Sequence, residues 1–166
     1  MTPRVVLCLA VAAIGFLPGC DGVVDTGTGY TSVTLTHQGF DFSAGAIPSD
    51  WDASDGHTTN WPGLPAINPD KAYGPYVWFT PFANTETESF TKDMGAVALE
   101  SVTTVPATWD AGAAQVLEPL SVGHVYVVKC RDGYAKFLVN AVHPEQEFVW
   151  SVDVEYAFTS TATFDH

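Results

Sequence analysis

The acidic stretch Asp50-Trp51-Asp52-Ala53-Ser54-Asp55-Gly56 contains the residue types that could bind a hard cation. Alternate carboxylates followed by a glycine turn can wrap Ca²⁺ in oxygen ligands. The EF-hand loop has acids at places one, three and five and a glutamate at place twelve. Here the third acid comes one residue late and no such glutamate follows. Asp50, Asp52 and Asp55 are therefore the metal-ligand candidates, but their spacing favours a solvated turn over a calcium site.

The histidines are the second group of residues that could bind a ligand, because an imidazole nitrogen can ligate haem iron. His124 lies on a strand face that the pattern predicts to be buried, where a hydrogen-bonded packing role is typical. His57 and His143 lie in predicted turns, from which two side chains could approach a ligand from separate sides of a cleft. We take His57 and His143 as the candidate haem pair, with solvent-exposed turn histidines as the alternative.

Two tryptophans are candidates for stacking on a ligand. Trp51 and Trp61 lie among Pro, Gly and Asp residues, whereas Trp150 lies in an apolar run that predicts a core position. An indole ring has a large apolar face that can stack on a macrocycle or a sugar ring. A glycan is therefore the second class of ligand that these residues support.

Motifs of catalysis are absent from the sequence. It contains no Gly-x-Ser-x-Gly, no His-Glu-x-x-His and no phosphate-binding glycine loop. No cysteine–histidine signature surrounds Cys130, which is predicted to be a buried small hydrophobe. We therefore predict that the protein is not an enzyme.

Strands are the elements that must position these residues. The run FVWSVDVEYAF, residues 148–158, alternates with a period of two, which is typical of an antiparallel strand with one wet face. Shorter β-rich runs are TSVTLT and YVWFT, and residues 43–74 between them form a long Pro- and Gly-containing loop region. No segment of the mature chain has a helical period over three turns. The sequence predicts an all-β fold, with a single antiparallel β domain over residues 30–166.

A β-hairpin is predicted just before the last strand. GHVYVVK and YAKFLVNAV flank Asp132-Gly133, a dipeptide that tolerates the positive φ angles of a type I′ turn. With these two residues as the loop, the face that carries Tyr126 is predicted to be buried. Lys129 would oppose Lys136 on the other face, which suggests solvent exposure or a slightly different loop length.

The amino terminus has the layout of a secretory signal. Arg4 precedes thirteen residues, Val5 to Leu17, without a charged side chain. At about 1.5 Å per residue this run is too short for a hydrocarbon core of about 30 Å. Leu17-Pro18-Gly19-Cys20 resembles the bacterial lipoprotein box, in which the signal is cut before a cysteine that becomes acylated. We expect residues 1–19 to be a cleaved signal peptide, with an ordinary signal followed by a structural cysteine as the alternative.

These expectations set the partners and the location. Acyl chains on Cys20 would anchor the protein to a membrane, and residues 20–29 would form a flexible tether. The protein is expected in the bacterial cell envelope, at the inner or the outer membrane. Removing residues 1–19 leaves five basic and nineteen acidic residues, a net charge of −14. Such a field repels phosphates, so nucleic acid is not an expected partner.

The hairpin and the last strand resemble a known family. GHVYVVKCRDGYAKFLVNAV followed by VWSVDVEYAF is similar to the carboxy-terminal part of HmuY-like lipoproteins, and GFDFSAG and SDWDAS are similar to earlier segments of that family. The resemblance implies an all-β domain tethered to a membrane, and members that capture haem through two axial side chains, commonly histidines. Ligand positions vary within the family, and no ligand motif matches this sequence.

The sequence therefore predicts an envelope lipoprotein with a non-catalytic ligand-binding or interaction role. Haem is the ligand that the resemblance implies, although no cofactor follows from the residues themselves. A surface module that binds a glycan or a protein partner is the alternative. The ligand, the membrane leaflet and the oligomeric state are left open by the sequence.

Overall fold

The chain folds into antiparallel β-structure, and the all-β prediction is confirmed. The computed structural model describes residues 24–25, 29–59, 77–82, 89–110, 119–146 and 149–165. The strands are β1 (Val24–Asp25), β2 (Thr31–Thr36), β3 (Gly56–Thr59), β4 (Trp78–Pro81), β5 (Phe90–Gly95), β6 (Val125–Lys129), β7 (Tyr134–Gln146) and β8 (Val149–Thr159). Short 3₁₀ turns occur at Trp51–Ala53 and Leu99–Ser101. Within these ranges no helix has the length and apolar character needed to cross a membrane.

A six-stranded sheet in the order β1-β2-β8-β7-β6-β5 forms the body of the domain. The ribbon formed by β3 and β4 packs on one face of this sheet, which we call the inner face. The Phe79 ring of β4 lies 5.5 Å from the Phe137 ring of β7, measured between ring centroids. The opposite face of the sheet is called the outer face. The domain is thus a six-stranded sheet whose inner face is covered by a two-stranded ribbon.

Strand β8 has the two faces that its alternating sequence predicts. Val152, Val154 and Tyr156 are buried in the inner-face core. Asp153 and Glu155 project from the outer face and are only partly covered. Because successive side chains of a strand point to opposite faces, this period of two fixes which residues meet the core.

The hairpin between β6 and β7 has a different register from the predicted one. Lys129 pairs with Tyr134 and Val127 pairs with Lys136, so the two lysines do not oppose each other. The Cys130 N–H donates to the Gly133 carbonyl at 2.9 Å, which places the turn at residues 131–132.

Gly133 serves packing and not the turn. It is not among the glycines with positive φ, and a Cβ on it would lie 2.3 Å from the carbonyl oxygen of Thr159. The prediction of Asp132-Gly133 as the two loop residues was therefore wrong. The close approach of β8, and not a left-handed conformation, requires glycine at this position.

The outer face is also covered, which corrects the expected exposure of Lys136. The segments around Val102 and Phe164 fold over β6 and β7, and an isolated bridge joins Thr104 to Thr163. Lys136 is 0% exposed, and its Nζ donates to the Val102 carbonyl at 2.9 Å. These covering segments have no strand periodicity, so the sequence pattern did not reveal them.

Candidate functional site

Trp51, on the loop that leads into β3, and His57, in β3 itself, form an aromatic pair. Asp50 starts the 3₁₀ turn by accepting a hydrogen bond from the Asp52 N–H at 3.0 Å. The turn presents Trp51, which is 45% exposed. The Trp51 and His57 ring centroids are 4.7 Å apart, with their planes tilted by 55°. We call this pair the Trp51–His57 site.

The strand geometry explains why His57 points away from the core. Within β3, Thr58 is fully buried and its hydroxyl donates to the Trp150 carbonyl at 2.8 Å. The neighbouring His57 therefore faces the other side of the ribbon, together with Thr80, its partner on β4. The Nδ1 atom of His57 and the hydroxyl of Thr80 are buried, and neither has a hydrogen-bond partner among the described residues.

Burial keeps the His57 ring neutral. Desolvation lowers the pKa of His57 below its ordinary value of 6.5, and the nearby His37 lowers it further. A neutral imidazole has a free ring nitrogen that can ligate a metal or accept a hydrogen bond. The Trp51–His57 site therefore combines an exposed indole face with a neutral imidazole whose buried Nδ1 has no hydrogen-bond partner among the described residues.

His37 is a second histidine in this region, and the sequence did not single it out. It follows the end of β2, and its ring lies 6.4 Å from the Trp150 ring in an edge-on arrangement. The Trp150 Nε1 atom is buried without a partner among the described residues. Trp150 packs against the inner core as predicted. No signal in the sequence pairs His37 with His57, because their proximity arises from the docking of the ribbon onto the sheet.

His143 lies elsewhere, on the outer face of the sheet. It occupies β7 opposite Ser151, and its Nε2 atom is 2.7 Å from a carboxylate oxygen of Asp153. The ribbon that carries His57 packs on the inner face, so the sheet lies between the two histidines. The structure does not bring the predicted pair together, and one ligand could not contact both.

The expected turn positions of these histidines were also wrong. His57 is part of β3, and β7 continues through His143 to Gln146 with an irregular register instead of turning at Pro144. Pairing with the neighbouring strands holds both residues in extended backbone.

The three candidate metal ligands do not converge. Asp55 is 1% exposed, and its two carboxylate oxygens accept the N–H of Phe42 at 2.9 Å and the N–H of Arg131 at 3.2 Å. Desolvation raises the pKa of Asp55, although these hydrogen bonds oppose the shift. Asp50 and Asp52 stay at the 3₁₀ turn. In the part of the chain that the structure describes, no group of three or more His, Cys, Asp or Glu residues is placed to hold a metal ion.

Asp55 and Arg131 instead anchor the loop that carries the Trp51–His57 site. The Arg131 guanidinium donates to the Ala53 carbonyl at 2.7 Å and lies 3.8 Å from the Asp41 carboxylate. The tip of the β6–β7 hairpin is thereby tied to both sides of the loop. This connection spans 76 residues of sequence, so only the fold reveals it.

Cys130 is buried, as predicted. Desolvation raises the pKa of its thiol well above the ordinary value, and the nearby Asp55 and Asp132 raise it further. A thiol in this state is a poor nucleophile. Cys20, Trp61 and the whole of residues 1–19 lie outside the described residues.

Comparisons with known proteins identify no relative of this chain. No family model, no curated protein and no solved structure matches the chain.

Proposed function

We propose that this chain is a bacterial envelope lipoprotein whose β domain binds a ligand at the Trp51–His57 site and catalyses no reaction. The observation that supports this site is the buried and unpartnered Nδ1 of His57 beside an indole that is 45% exposed. A buried polar atom without a partner costs about 1–3 kcal/mol. A ligand that reached this atom and supplied the missing partner would offset this cost.

Haem is the proposed ligand. Its iron takes an imidazole nitrogen as an axial ligand, and the lowered pKa of His57 keeps that imidazole in the neutral, ligating form. The exposed face of Trp51 offers an apolar surface against which a macrocycle can stack. His37 is the candidate for a second ligand, since it lies close enough to His57 to lower the pKa of that ring. The resemblance to HmuY-like lipoproteins supports the same choice.

A haem titration of the full-length protein in detergent tests this proposal. We expect a saturable change in the Soret absorbance with the wild type and its loss in His57→Ala. His143→Ala is the matched control, because this histidine lies on the outer face of the sheet and should leave the titration unchanged. A wild type without a saturable change would overturn haem binding. Equal titrations of His57→Ala and wild type would overturn the assignment of the site.

A glycan is the second candidate ligand, on a separate observation. The exposed indole of Trp51 is flanked in sequence by the exposed carboxylates of Asp50 and Asp52, which could accept hydrogen bonds from sugar hydroxyls. Tryptophan fluorescence during titration with envelope oligosaccharides distinguishes the two ligands. A glycan response would be lost in Trp51→Ala and kept in His57→Ala, whereas haem binding depends on His57.

The lipid anchor is tested independently of the ligand. Mass spectrometry of the amino-terminal peptide from cells should find an acylated Cys20 and no residues before it. Cys20→Ala should move the protein from the membrane fraction to the soluble fraction, because the two or three acyl chains on Cys20 would provide the membrane affinity. An unmodified, full-length amino terminus would contradict the anchor without bearing on the Trp51–His57 site.

A further inference from the structure

The 3₁₀ turn that presents Trp51 has no buried side chain of its own. None of the residues Trp51–Ala53 is buried, and the turn is closed by the Ser54 N–H, which donates to the Trp51 carbonyl at 3.0 Å. Hydrogen bonds in a 3₁₀ turn have poor geometry, and a single isolated turn is not stable in water. The position of the Trp51 ring therefore depends on contacts with other parts of the fold.

The residues that follow the turn are fixed to the core. Ser54 is fully buried, and its hydroxyl donates to the Gly56 carbonyl at 2.9 Å and accepts the Phe40 N–H at 3.1 Å. The Asp55 N–H donates to the Phe40 carbonyl at 2.8 Å. These three bonds hold the entry into β3, which carries His57, but none of them involves the residues of the turn.

Arg131, at the tip of the β6–β7 hairpin, reaches the turn directly. Its guanidinium Nη2 donates to the carbonyl of Ala53, the last residue of the turn, at 2.7 Å. Its backbone N–H donates to the Asp55 carboxylate at 3.2 Å. A hydrogen bond from a guanidinium is charge-assisted and about twice as strong as a neutral one. Arg131 thus links the end of the turn to the fixed base of the loop.

The start of the loop contacts the same guanidinium. One carboxylate oxygen of Asp41 lies 3.8 Å from Arg131 Nη2. The other oxygen accepts the Ala44 N–H at 2.9 Å and the Ser43 hydroxyl at 2.8 Å, so Asp41 also fixes the first residues of the loop. Arg131 therefore connects the beginning and the end of one loop to the tip of the hairpin.

The charge of Arg131 balances the carboxylates of this loop. Burial raises the pKa of Asp55, and the charge of Asp41 raises it further, because the two carboxylates repel each other. The Arg131 guanidinium lies within 4.0 Å of both carboxylates, and its positive charge offsets this repulsion. Without this charge, the loop would be held less firmly at both of its ends.

The other cations in the part of the chain that the structure describes do not contact this loop. They are engaged elsewhere: Lys92 with Asp110, Lys129 above the Phe90 ring, and Lys136 with the Val102 carbonyl. Lys129 lies in the same hairpin as Arg131, two residues earlier, so it provides a matched control.

We propose that Arg131 is a positioning residue for the Trp51–His57 site, and that the β6–β7 hairpin sets the affinity of this site by holding the Trp51 turn beside His57. A turn that is fixed in advance loses less conformational entropy when a ligand binds, which strengthens binding. The inference rests on the proposed function for its ligand, but the contact between the hairpin and the turn exists without one.

Amide hydrogen exchange of the full-length protein in detergent, without ligand, tests the positioning. Arg131→Met removes the charge and the donors while keeping the length of the side chain. We expect the Ala53 and Ser54 amides to exchange about tenfold faster or more, since a lost hydrogen bond of about 1.4 kcal/mol is a factor of ten. Lys129→Met should leave the exchange of these two amides at the wild-type rate.

A haem titration of the same variants tests the effect on affinity. At a temperature at which circular dichroism shows both proteins fully folded, Arg131→Met should bind haem about tenfold more weakly than the wild type, and Lys129→Met should bind equally well. A loss of overall stability alone would not change the affinity of a fully folded protein. Arg131→Gln, which keeps a neutral donor, is the milder second variant and should shift both quantities in the same direction.

The outcomes separate this inference from the proposed function. Wild-type exchange rates at Ala53 and Ser54 in both Arg131 variants would overturn the positioning role, whether or not haem binds. Faster exchange with unchanged haem affinity would overturn the claim that the hairpin sets the affinity. A wild type that binds no haem would overturn the proposed ligand, and the exchange rates would still decide whether Arg131 holds the turn.

Discussion

The two faces of the six-stranded sheet are both covered, but the covers are held by different interactions. On the inner face, the Phe137 ring stacks on Phe42 at 6.0 Å and on Tyr126 at 5.4 Å, within a continuous apolar core. On the outer face, Lys136 is buried, with its Nζ 5.3 Å from the Tyr30 ring centroid and 5.0 Å from the Phe164 ring centroid.

The two kinds of interaction contribute differently to the stability of the fold and to the position of the covering segments. Burial of apolar area has no preferred direction, so the inner face can stabilise the fold while allowing small adjustments. A hydrogen bond to one carbonyl and contacts with two ring faces are directional. The outer-face cover is itself packed by a second, smaller apolar cluster, so we expect Lys136 to fix its position and the larger inner-face core to contribute more of the free energy of unfolding.

The largest effect is expected from Phe137→Ala. Phe137 is 0% exposed and contacts three other aromatic rings, so its truncation leaves a cavity in the inner core. Replacing a buried Phe by Ala typically costs about 3–5 kcal/mol. Urea denaturation at pH 7, followed by fluorescence, measures the loss.

Phe164→Ala is the matched comparison on the outer face. Phe164 is 3% exposed, but it belongs to the smaller of the two apolar clusters. We expect its loss to be smaller than that of Phe137, at the lower end of the range of about 3–5 kcal/mol. Equal losses of unfolding free energy in Phe137→Ala and Phe164→Ala would contradict the proposed difference between the two faces.

The inner face was largely predictable from the sequence and the outer face was not. The period of two in β8 correctly indicates which residues meet the inner core, because a strand offers only two faces. The buried face of the hairpin was also predicted correctly despite the wrong register, since the register differs by two positions and an even shift keeps each side chain on its face. Lys136 was misplaced because the segments that bury it have no periodic pattern.

The candidate site was only partly predictable for the same physical reason. Trp51 is exposed on its turn as expected for an indole among polar residues. The tilted contact of Trp51 with His57 depends on how the loop enters β3, and the proximity of His37 and the anchoring of Asp55 by Arg131 depend on long-range docking. β5 was not recognised as a strand, because Thr91 and Asp93 on its inner face hide the alternation that a half-buried strand normally shows.

An intermediate effect is expected from Lys136→Met, which tests the cover of the outer face. The variant removes the donor to the Val102 carbonyl and the cation from between two rings, at a cost of about 1 kcal/mol at pH 7 after the relief of charge burial. Burial lowers the pKa of Lys136 below 10.5, with Glu100 opposing the shift.

The pH dependence of Lys136→Met has a definite sign. The native state binds fewer protons than the unfolded state, so wild-type stability should rise between the lowered pKa of Lys136 and 10.5. Lys136→Met lacks this rise, and its deficit should widen as the pH increases from 7 towards 10. Lys129→Met, on a half-exposed lysine above the Phe90 ring, is the control. A Lys136→Met protein more stable than the wild type at pH 7 would show that the ammonium does not hold the cover.

The smallest effect is expected from Asp153→Asn, at the uncovered part of the outer face. The Asp153 carboxylate accepts a hydrogen bond from the Thr34 hydroxyl at 2.6 Å and contacts His143 Nε2 at 2.7 Å. Partial burial raises the pKa of Asp153, but the contacts with Thr34 and His143 outweigh it and lower the pKa overall. Because this side chain is 44% exposed, solvent screens the interaction and limits the loss to about 0.5 kcal/mol.

The sign of the acid dependence follows from the lowered pKa. The contribution of Asp153 is present above 3.8 and is lost as the pH falls through the lower folded-state pKa, because the unfolded state takes up its proton first. Urea denaturation of wild type and Asp153→Asn should therefore differ at pH 6 and converge near pH 2. Glu155→Gln, two residues along the same face, is the control. A double-mutant cycle with His143→Ala isolates the pair, and a coupling of several kcal/mol would mean that this open part of the outer face is held as firmly as the part above Lys136.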